Sequence, residues 1–171
     1  MTRTLVLGGA RSGKSMYAQT AAEAFAKTNG GQLVMIATAE AHDDEMRERI
    51  AQHRKDRGPV WRTIEVPLGL SAALMSLQET DVAVVDCLTL WLNNLMMTDA
   101  PIPSTVQSLA AAFLDCRARL WVVSNEVGFG IVPENPLARL FRDVSGRLHL
   151  MLGHIADDVV LVVAGQPLKI K

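Results

Sequence analysis

The chain carries Gly8-Gly9-Ala10-Arg11-Ser12-Gly13-Lys14-Ser15 between an apolar run, Thr4-Leu5-Val6-Leu7, and a helix-forming run from Met16 to Phe25. The octet has the spacing G-x-x-x-x-G-K-[ST], and its flanks supply the strand before and the helix after that this spacing requires. Glycines let the backbone wrap closely with its N–H groups turned inward, which makes a concave site for phosphate oxygens. The N-terminus of the following helix adds partial positive charge. In such a loop Lys14 reaches the β- and γ-phosphates, and the Ser15 hydroxyl is a ligand for Mg²⁺. The alternative, a glycine-rich turn that fits by chance, does not account for the strand–loop–helix context.

Working outward, helix-forming sequence continues from Lys14 to about Lys27 and stops at Asn29-Gly30-Gly31. Leu33-Val34-Met35-Ile36-Ala37 is continuously apolar and reads as a strand buried on both faces, closed by Thr38. Strand, helix and strand at this spacing form a βαβ unit, so the sheet is expected to be largely parallel. Val82-Ala83-Val84-Val85-Asp86 is a second apolar strand, ending in an acid. With a phosphate loop present, that form points to a carboxylate delivered towards Mg²⁺ or its waters. Leu120 to Ser124 and Val159 to Ala164 are further strands. Asn125-Glu126-Val127-Gly128 follows the first of these, at the end of the sheet where ligands bind in open α/β folds. There Glu126 either meets metal, water or substrate or only orders its loop.

The intervening stretches are helical or looped. Leu68 to Leu77 is a weak helix, and Leu88 to Met97 is an apolar helix suited to a core or an interface. Ser104 is read as the cap of a helix reaching about Arg119. Leu137 to about Ile155 is a long helix that Gly146 and Gly153 are able to interrupt. Gly165-Gln166-Pro167 is read as a turn into a short tail.

Glu40 to Arg57 is rich in charge, acidic early and basic late, which suits a helix dipole. Met46, Ile50 and His53 share one helical face, with Arg49 and Arg57 a turn to either side of His53. From spacing alone two readings stand. One is a solvated amphipathic helix with an incidental histidine. The other is a nucleophilic imidazole among arginines that bind phosphate and keep a ring nitrogen unprotonated.

Composition limits the classes. At 171 residues the chain is long enough for one domain with a core of its own, spanning 1–171. A net charge of −1 gives no global field for nucleic acid or anionic membranes. Cys87 and Cys116 have neither metal-type spacing nor a disulfide framework. The N-terminus does not read as a signal peptide, and no apolar run approaches the ~18 residues of a membrane span. Cytoplasmic location, with no nucleic-acid partner and no integral membrane segment, is the expectation.

Taken together, these residues resemble the bifunctional adenosylcobinamide kinase / adenosylcobinamide-phosphate guanylyltransferase family of cobalamin biosynthesis. Beyond Gly8 to Ser15, the resemblance rests on Ile36-Ala37-Thr38, Asp43-Asp44-Glu45-Met46, Arg49-Ile50, His53, Trp61-Arg62-Thr63 with Glu65, and Asp86-Cys87. It continues through Ser124 to Gly128, Gly130 to Asn135, Phe141-Arg142-Asp143, Gly146-Arg147 and the Lys169-Ile170-Lys171 ending. The phosphate loop is common to many proteins, whereas this ordered set is specific.

The resemblance implies a P-loop NTPase fold: α/β, RecA-like, a mostly parallel sheet with helices on both faces. It implies two reactions. ATP or GTP phosphorylates adenosylcobinamide; GTP then guanylylates a histidine, and GMP passes to adenosylcobinamide phosphate. Without gaps, that histidine falls at His53, beside Lys14 as the second catalytic residue. Nucleotide contacts fall on Gly8, Gly9, Ala10, Arg11, Ser12, Gly13, Lys14, Ser15, Ile36, Ala37, Thr38, Arg54, Lys55, Asp56, Arg57, Glu65 and Asp86. Ser15 and Asp86 would hold Mg²⁺, and Glu65 is chemically suited to the adjacent N–H donors of guanine. A homotrimer is also implied. Where the family often has Asn-Gln, this chain has His149-Leu150, a polar pair made partly apolar. Three rivals remain at this point: a kinase without the histidine intermediate, a nucleotide-dependent switch, and a kinase for another small alcohol.

Overall fold

The apolar runs become strands of one sheet because each alternates its side chains between two hydrophobic layers. In this computed structural model, which describes residues 2–40, 48 and 58–171, the sheet has seven strands. They are β1 (Arg3–Gly8), β2 (Gln32–Ala37), β3 (Arg62–Glu65), β4 (Asp81–Asp86), β5 (Arg119–Asn125), β6 (Asp158–Val163) and β7 (Gln166–Lys169). Their spatial order is β3-β2-β4-β5-β1-β6-β7. Every pairing is parallel except β6 with β7, so the expectation of a mostly parallel sheet is borne out.

Among the described residues, the helices α1 (Lys14–Asn29), α2 (Leu70–Ser76), α3 (Leu88–Met96), α4 (Ile102–Asp115) and α5 (Pro136–Ile155) connect and cover these strands. On one face Val6, Met35, Val84, Trp121 and Val162 pack with Ala18 and Ala22 of α1. On the other, Leu5, Ile36, Val85, Leu120 and Val122 pack against α2, α3, α4 and α5. Neighbours in sequence thus belong to opposite cores, which is what period-two geometry imposes on a strand covered on both sides. The ends of β1, β2, β4 and β5 bearing Gly8, Ala37, Asp86 and Asn125 share one edge of the sheet, since they pair in parallel register.

Four expectations shift in detail. Helix α4 begins at Ile102 rather than after Ser104, with Pro101 at the cap and Pro103 in the first turn. Proline is tolerated there because those N–H groups have no intrahelical partner. The helix ends at Asp115, since Cys116 is non-helical and Arg119 opens β5. Helix α5 runs unbroken through Gly146 and Gly153. The C-terminal residues are not a loose tail. Ala164 and Gly165, at φ 51° and 76°, make a tight turn, and β7 returns antiparallel on β6. Pro167 is allowed in this edge strand, where one side of the backbone needs no ladder partner. Lys171 Nζ then donates to the carbonyls of Gly153, His154 and Ala156 at 3.2, 3.0 and 2.6 Å. It satisfies carbonyls that the end of α5 leaves open.

Helix α3 is part of the core. Leu88, Trp91, Leu92 and Leu95 are buried, and Trp91 Nε1 donates to the Leu68 carbonyl at 2.8 Å. Among the described residues no helix is long and apolar enough to cross a membrane.

Candidate active site

The octet opens at the end of β1 and closes in the first turn of α1. Gly8 is the last residue of β1, and a Cβ there would lie 2.5 Å from Ser12 Oγ and 2.6 Å from the Val162 carbonyl oxygen. Gly13, at φ 95°, is the residue before α1 and lies in the left-handed region that side chains disfavour. Arg11 is also left-handed, at φ 55°. Three hydrogen bonds fix the turn: Ser12 N–H to Gly9 O at 3.3 Å, Tyr17 N–H to Gly13 O at 2.9 Å, and Gly165 N–H to Ser12 O at 2.8 Å. The last joins the loop to the β6–β7 turn.

Lys14 is buried, and its Nζ donates to Gly9 O at 2.9 Å, so the ammonium lies folded over the loop. Ser12 Oγ is buried, with no hydrogen-bond partner among the described residues. A buried hydroxyl without a partner, an ammonium over the same turn and a helix N-terminus make a chemical match for phosphate oxygens.

Asp86 ends β4, and its Oδ1 accepts a hydrogen bond from Ser15 Oγ at 3.2 Å. This hydroxyl–carboxylate pair fits Mg²⁺, a hard ion usually bound by one or two protein oxygens together with phosphates and water. Among the described residues no cluster of three or more His, Cys, Asp or Glu offers a rival metal cage.

Thr38 stands behind Asp86. Its N–H donates to Asp86 O at 3.2 Å; its hydroxyl donates to Cys87 O at 2.7 Å and accepts from Cys87 N–H at 2.9 Å. Asn94 Nδ2 ties the Thr38 carbonyl, at 2.8 Å, to that of Pro67, at 3.2 Å. These bonds hold the end of β2 against the end of β4. Cys87 is buried, and burial, with Asp86 beside it, pushes its thiol up.

Among the residues expected at the site, Gly8 to Ser15 and Asp86 are brought together. Ile36, Ala37 and Thr38 lie at the end of β2, with Ile36 and Thr38 buried. Glu65 is exposed at the end of β3, paired in register with Ala37. With β2, β4 and β5 between β3 and β1, Glu65 is about 19 Å of strand spacing from the loop. His53, Arg54, Lys55, Asp56 and Arg57 lie outside the described residues, as do Arg49 and the acids from Asp43 to Glu45.

A cluster that sequence reasoning did not assemble lies beside the loop. Glu126 N–H donates to Gly8 O at 2.9 Å. Glu126 Oε1 accepts from Gly128 N–H at 2.6 Å, and Oε2 lies 3.6 Å from His149 Nδ1. His149 Nε2 is 2.7 Å from Ser124 Oγ. Burial lowers the affinity of His149 for a proton, and the neighbouring Glu126 works in the opposite direction, leaving the pKa depressed. The signal for this cluster was helical spacing: Ser145, Leu148, His149 and Leu152 form one buried face of α5, while Leu150 is exposed.

The arginines of α5 are occupied differently. Arg139 donates to the carbonyls of Pro133 and Glu134, and Arg142 pairs with Asp143. Close to them a groove of about 450 Å³ runs between α3 and α5, lined by Asn93, Met96, Val127, Leu137 and Phe141. Phe129, Ile131 and Val132 are exposed on the loop alongside.

A mostly parallel sheet, a glycine-bounded loop leading into α1, and a serine–carboxylate pair beneath it define a P-loop nucleotide-binding protein. The fold is similar to that of solved structures. Flagellar accessory protein FlaH from Methanocaldococcus jannaschii superposes with a TM-score of 0.52 at 12% identity, covering 94% of this chain and 70% of that one. A KaiC-like protein from Pyrococcus horikoshii gives 0.52 at 13% identity with the same coverage.

The chain belongs to the CobU family, cobinamide kinase / cobinamide phosphate guanyltransferase, whose pattern matches residues 4–170. It is 44% identical to the bifunctional adenosylcobalamin biosynthesis protein CobP of Pseudomonas aeruginosa, over 99% of this chain and 97% of that one. To the bifunctional adenosylcobalamin biosynthesis protein CobU of Escherichia coli it is 38% identical, over 98% of each.

Proposed function

We propose that the chain is a bifunctional enzyme of cobalamin biosynthesis, acting through one nucleotide site in a single catalytic domain, residues 1–171. It phosphorylates adenosylcobinamide with ATP or GTP, then transfers GMP from GTP to adenosylcobinamide phosphate, giving adenosyl-GDP-cobinamide and pyrophosphate. The observation that carries this reading is the Ser15–Asp86 pair beneath the Lys14 loop, in a chain matched to its family from end to end.

In the first reaction the aminopropanol oxygen of the substrate attacks the γ-phosphorus, and the nucleoside diphosphate leaves. Lys14 and the loop amides stabilise charge on the moving phosphoryl group. Ser15 and Asp86 would hold Mg²⁺, which when bound offsets the negative charge of the phosphates. In the second, a ring nitrogen of neutral His53 attacks the α-phosphorus of GTP and pyrophosphate leaves. An oxygen of the substrate phosphate then displaces His53 from the resulting phosphoramidate. Two easier displacements replace one hard one. Arg54, Lys55, Asp56 and Arg57 contribute nucleotide contacts, with the cations near His53 neutralising phosphate charge. Glu65, at the sheet edge beyond Ala37, is suited to accept from guanine N1–H and N2–H₂.

The groove beside Met96 and Phe141 supports a bulky, partly apolar substrate such as the corrinoid. The exposed Phe129 and Ile131 support association between copies, for which the resemblance implies a trimer. Cytoplasmic location completes the reading.

The test is turnover of adenosylcobinamide with Mg²⁺ and ATP or GTP, followed by addition of GTP. Formation first of the phosphate and then of the GDP ester is the expected result. Nucleotide hydrolysis independent of corrinoid would overturn it in favour of a switch.

A further inference from the structure

We propose that Glu126 is the proton acceptor of the phosphorylation step and that His149, braced by Ser124, is the positioning residue that aims its carboxylate. The inference rests on the kinase reading above and names a base for it.

Glu126 is the first residue beyond β5, tied to the first glycine of the octet by the 2.9 Å bond from its N–H to Gly8 O. One carboxylate oxygen is held at 2.6 Å by Gly128 N–H, and the other faces His149 Nδ1 at 3.6 Å. That second separation exceeds a hydrogen bond. Catalytic contacts are often long before substrate is bound and tighten in the complex.

The ring chemistry sets the direction. Burial keeps His149 neutral, and a neutral imidazole carries one N–H. With that N–H on Nδ1, facing the carboxylate, Nε2 accepts the Ser124 hydroxyl at 2.7 Å. The Ser124–His149 hydrogen bond is then satisfied, and the remaining N–H faces the Glu126 carboxylate from 3.6 Å.

Serine, histidine and carboxylate in this order are the parts of a hydrolase triad, but here the exposures are inverted. Ser124 is 0% exposed and meets no external substrate, whereas the Glu126 side chain is 19% exposed. The end of the line that reaches a ligand is the carboxylate. In the reaction the alcohol proton passes to Glu126 as the oxygen–phosphorus bond forms. The bond from the γ-phosphorus to its bridging oxygen breaks, and the electron pair leaves with the nucleoside diphosphate.

The experiment measures kcat and KM for adenosylcobinamide phosphorylation in wild type, Glu126→Gln, His149→Leu and His149→Asn, with a thermal melt of each. Leu fills the ring's space with no donor, whereas Asn presents an amide N–H near the position of Nδ1. Glu126→Gln is expected to lower kcat roughly 100-fold with little change in nucleotide KM. His149→Leu should lower it roughly 10- to 100-fold, and His149→Asn should restore most of the loss. If His149 were only a core residue, Leu and Asn would differ in melting temperature but not in kcat of the folded protein, and that result overturns the positioning role. Glu126→Gln turning over within about twofold of wild type overturns the base assignment, even if His149→Leu fails to fold. A wild type that does not phosphorylate adenosylcobinamide fails the kinase reading itself, and this inference with it.

Discussion

Ser15 Oγ donates to Asp86 Oδ1 at 3.2 Å across 71 residues of chain. The bond joins the first turn of α1 to the end of β4, although β5 separates β4 from β1 in the sheet. The meeting depends on α1 crossing the sheet face over the C-terminal edge, so fold and site are specified together. Replacing either partner removes a hard oxygen from the place where the triphosphate and its cation meet. Asp86→Ala and Ser15→Ala should each lower kcat of phosphorylation roughly 100-fold or more. The apparent Mg²⁺ requirement should rise, as read from activity against Mg²⁺ concentration.

The two glycines at the start of the loop have unequal roles. Gly8 has no room for a side chain, whereas nothing lies within 4 Å of a Cβ built on Gly9. Gly8→Ala should cost about 1–3 kcal/mol and weaken GTP binding, because the loop or β6 must shift. Gly9→Ala should stay within about 0.5 kcal/mol of wild type in denaturant unfolding. Equal losses would mean that local space is not what selects Gly8.

Asn94 predicts a stability effect that reaches the site. Its amide bridges the Thr38 and Pro67 carbonyls from within the core, and Asn94→Leu leaves both without that donor. A loss of about 1–3 kcal/mol is expected in urea unfolding. Weaker nucleotide binding, measured by calorimetry, should accompany it, since Thr38 holds the Asp86–Cys87 backbone.

His149 gives stability a pH dependence of known sign. Burial holds its pKa below the usual value near 6.5, with Glu126 opposing. Above about pH 6.5 the ring is neutral whether folded or unfolded, and the stability is fully present. As the pH falls below that value the unfolded chain takes up a proton more readily than the folded one, and stability declines towards the lower folded pKa. The slope from this residue cannot exceed about 1.4 kcal/mol per pH unit. His149→Leu should remove that part of the decline in denaturation midpoints measured between about pH 7 and pH 5.

Much of this was legible in the sequence because short-range rules governed it. The octet and the βαβ spacing point to a phosphate loop in a mostly parallel sheet, and the apolar run ending in Asp86 points to a strand that delivers a carboxylate towards that loop. What local pattern does not encode is pairing between distant segments. Nothing near Gly165 signals that its N–H will brace Ser12, because that contact arises only when β6 joins β1. In the sequence Gly165-Gln166-Pro167 reads as a turn into a tail, whereas β7 starts at Gln166, with Pro167 tolerated because the strand lies at an edge. In the sequence His149-Leu150 reads as a polar pair made partly apolar, yet the fold buries His149 against Ser124 of β5. That partnership depends on how α5 lies across the sheet rather than on α5 alone.

The most direct measurement of the central claim, a guanylyl-histidine pathway at this phosphate loop, is covalent labelling. Wild type and His53→Ala are incubated with Mg²⁺ and α-labelled GTP, denatured, and challenged with acid and base. Acid-labile, base-stable label on wild type and none on His53→Ala is the predicted result, with Lys14→Ala also unlabelled. Folded, GTP-binding wild type that acquires no label, or a His53→Ala variant labelled as strongly as wild type, would contradict the account.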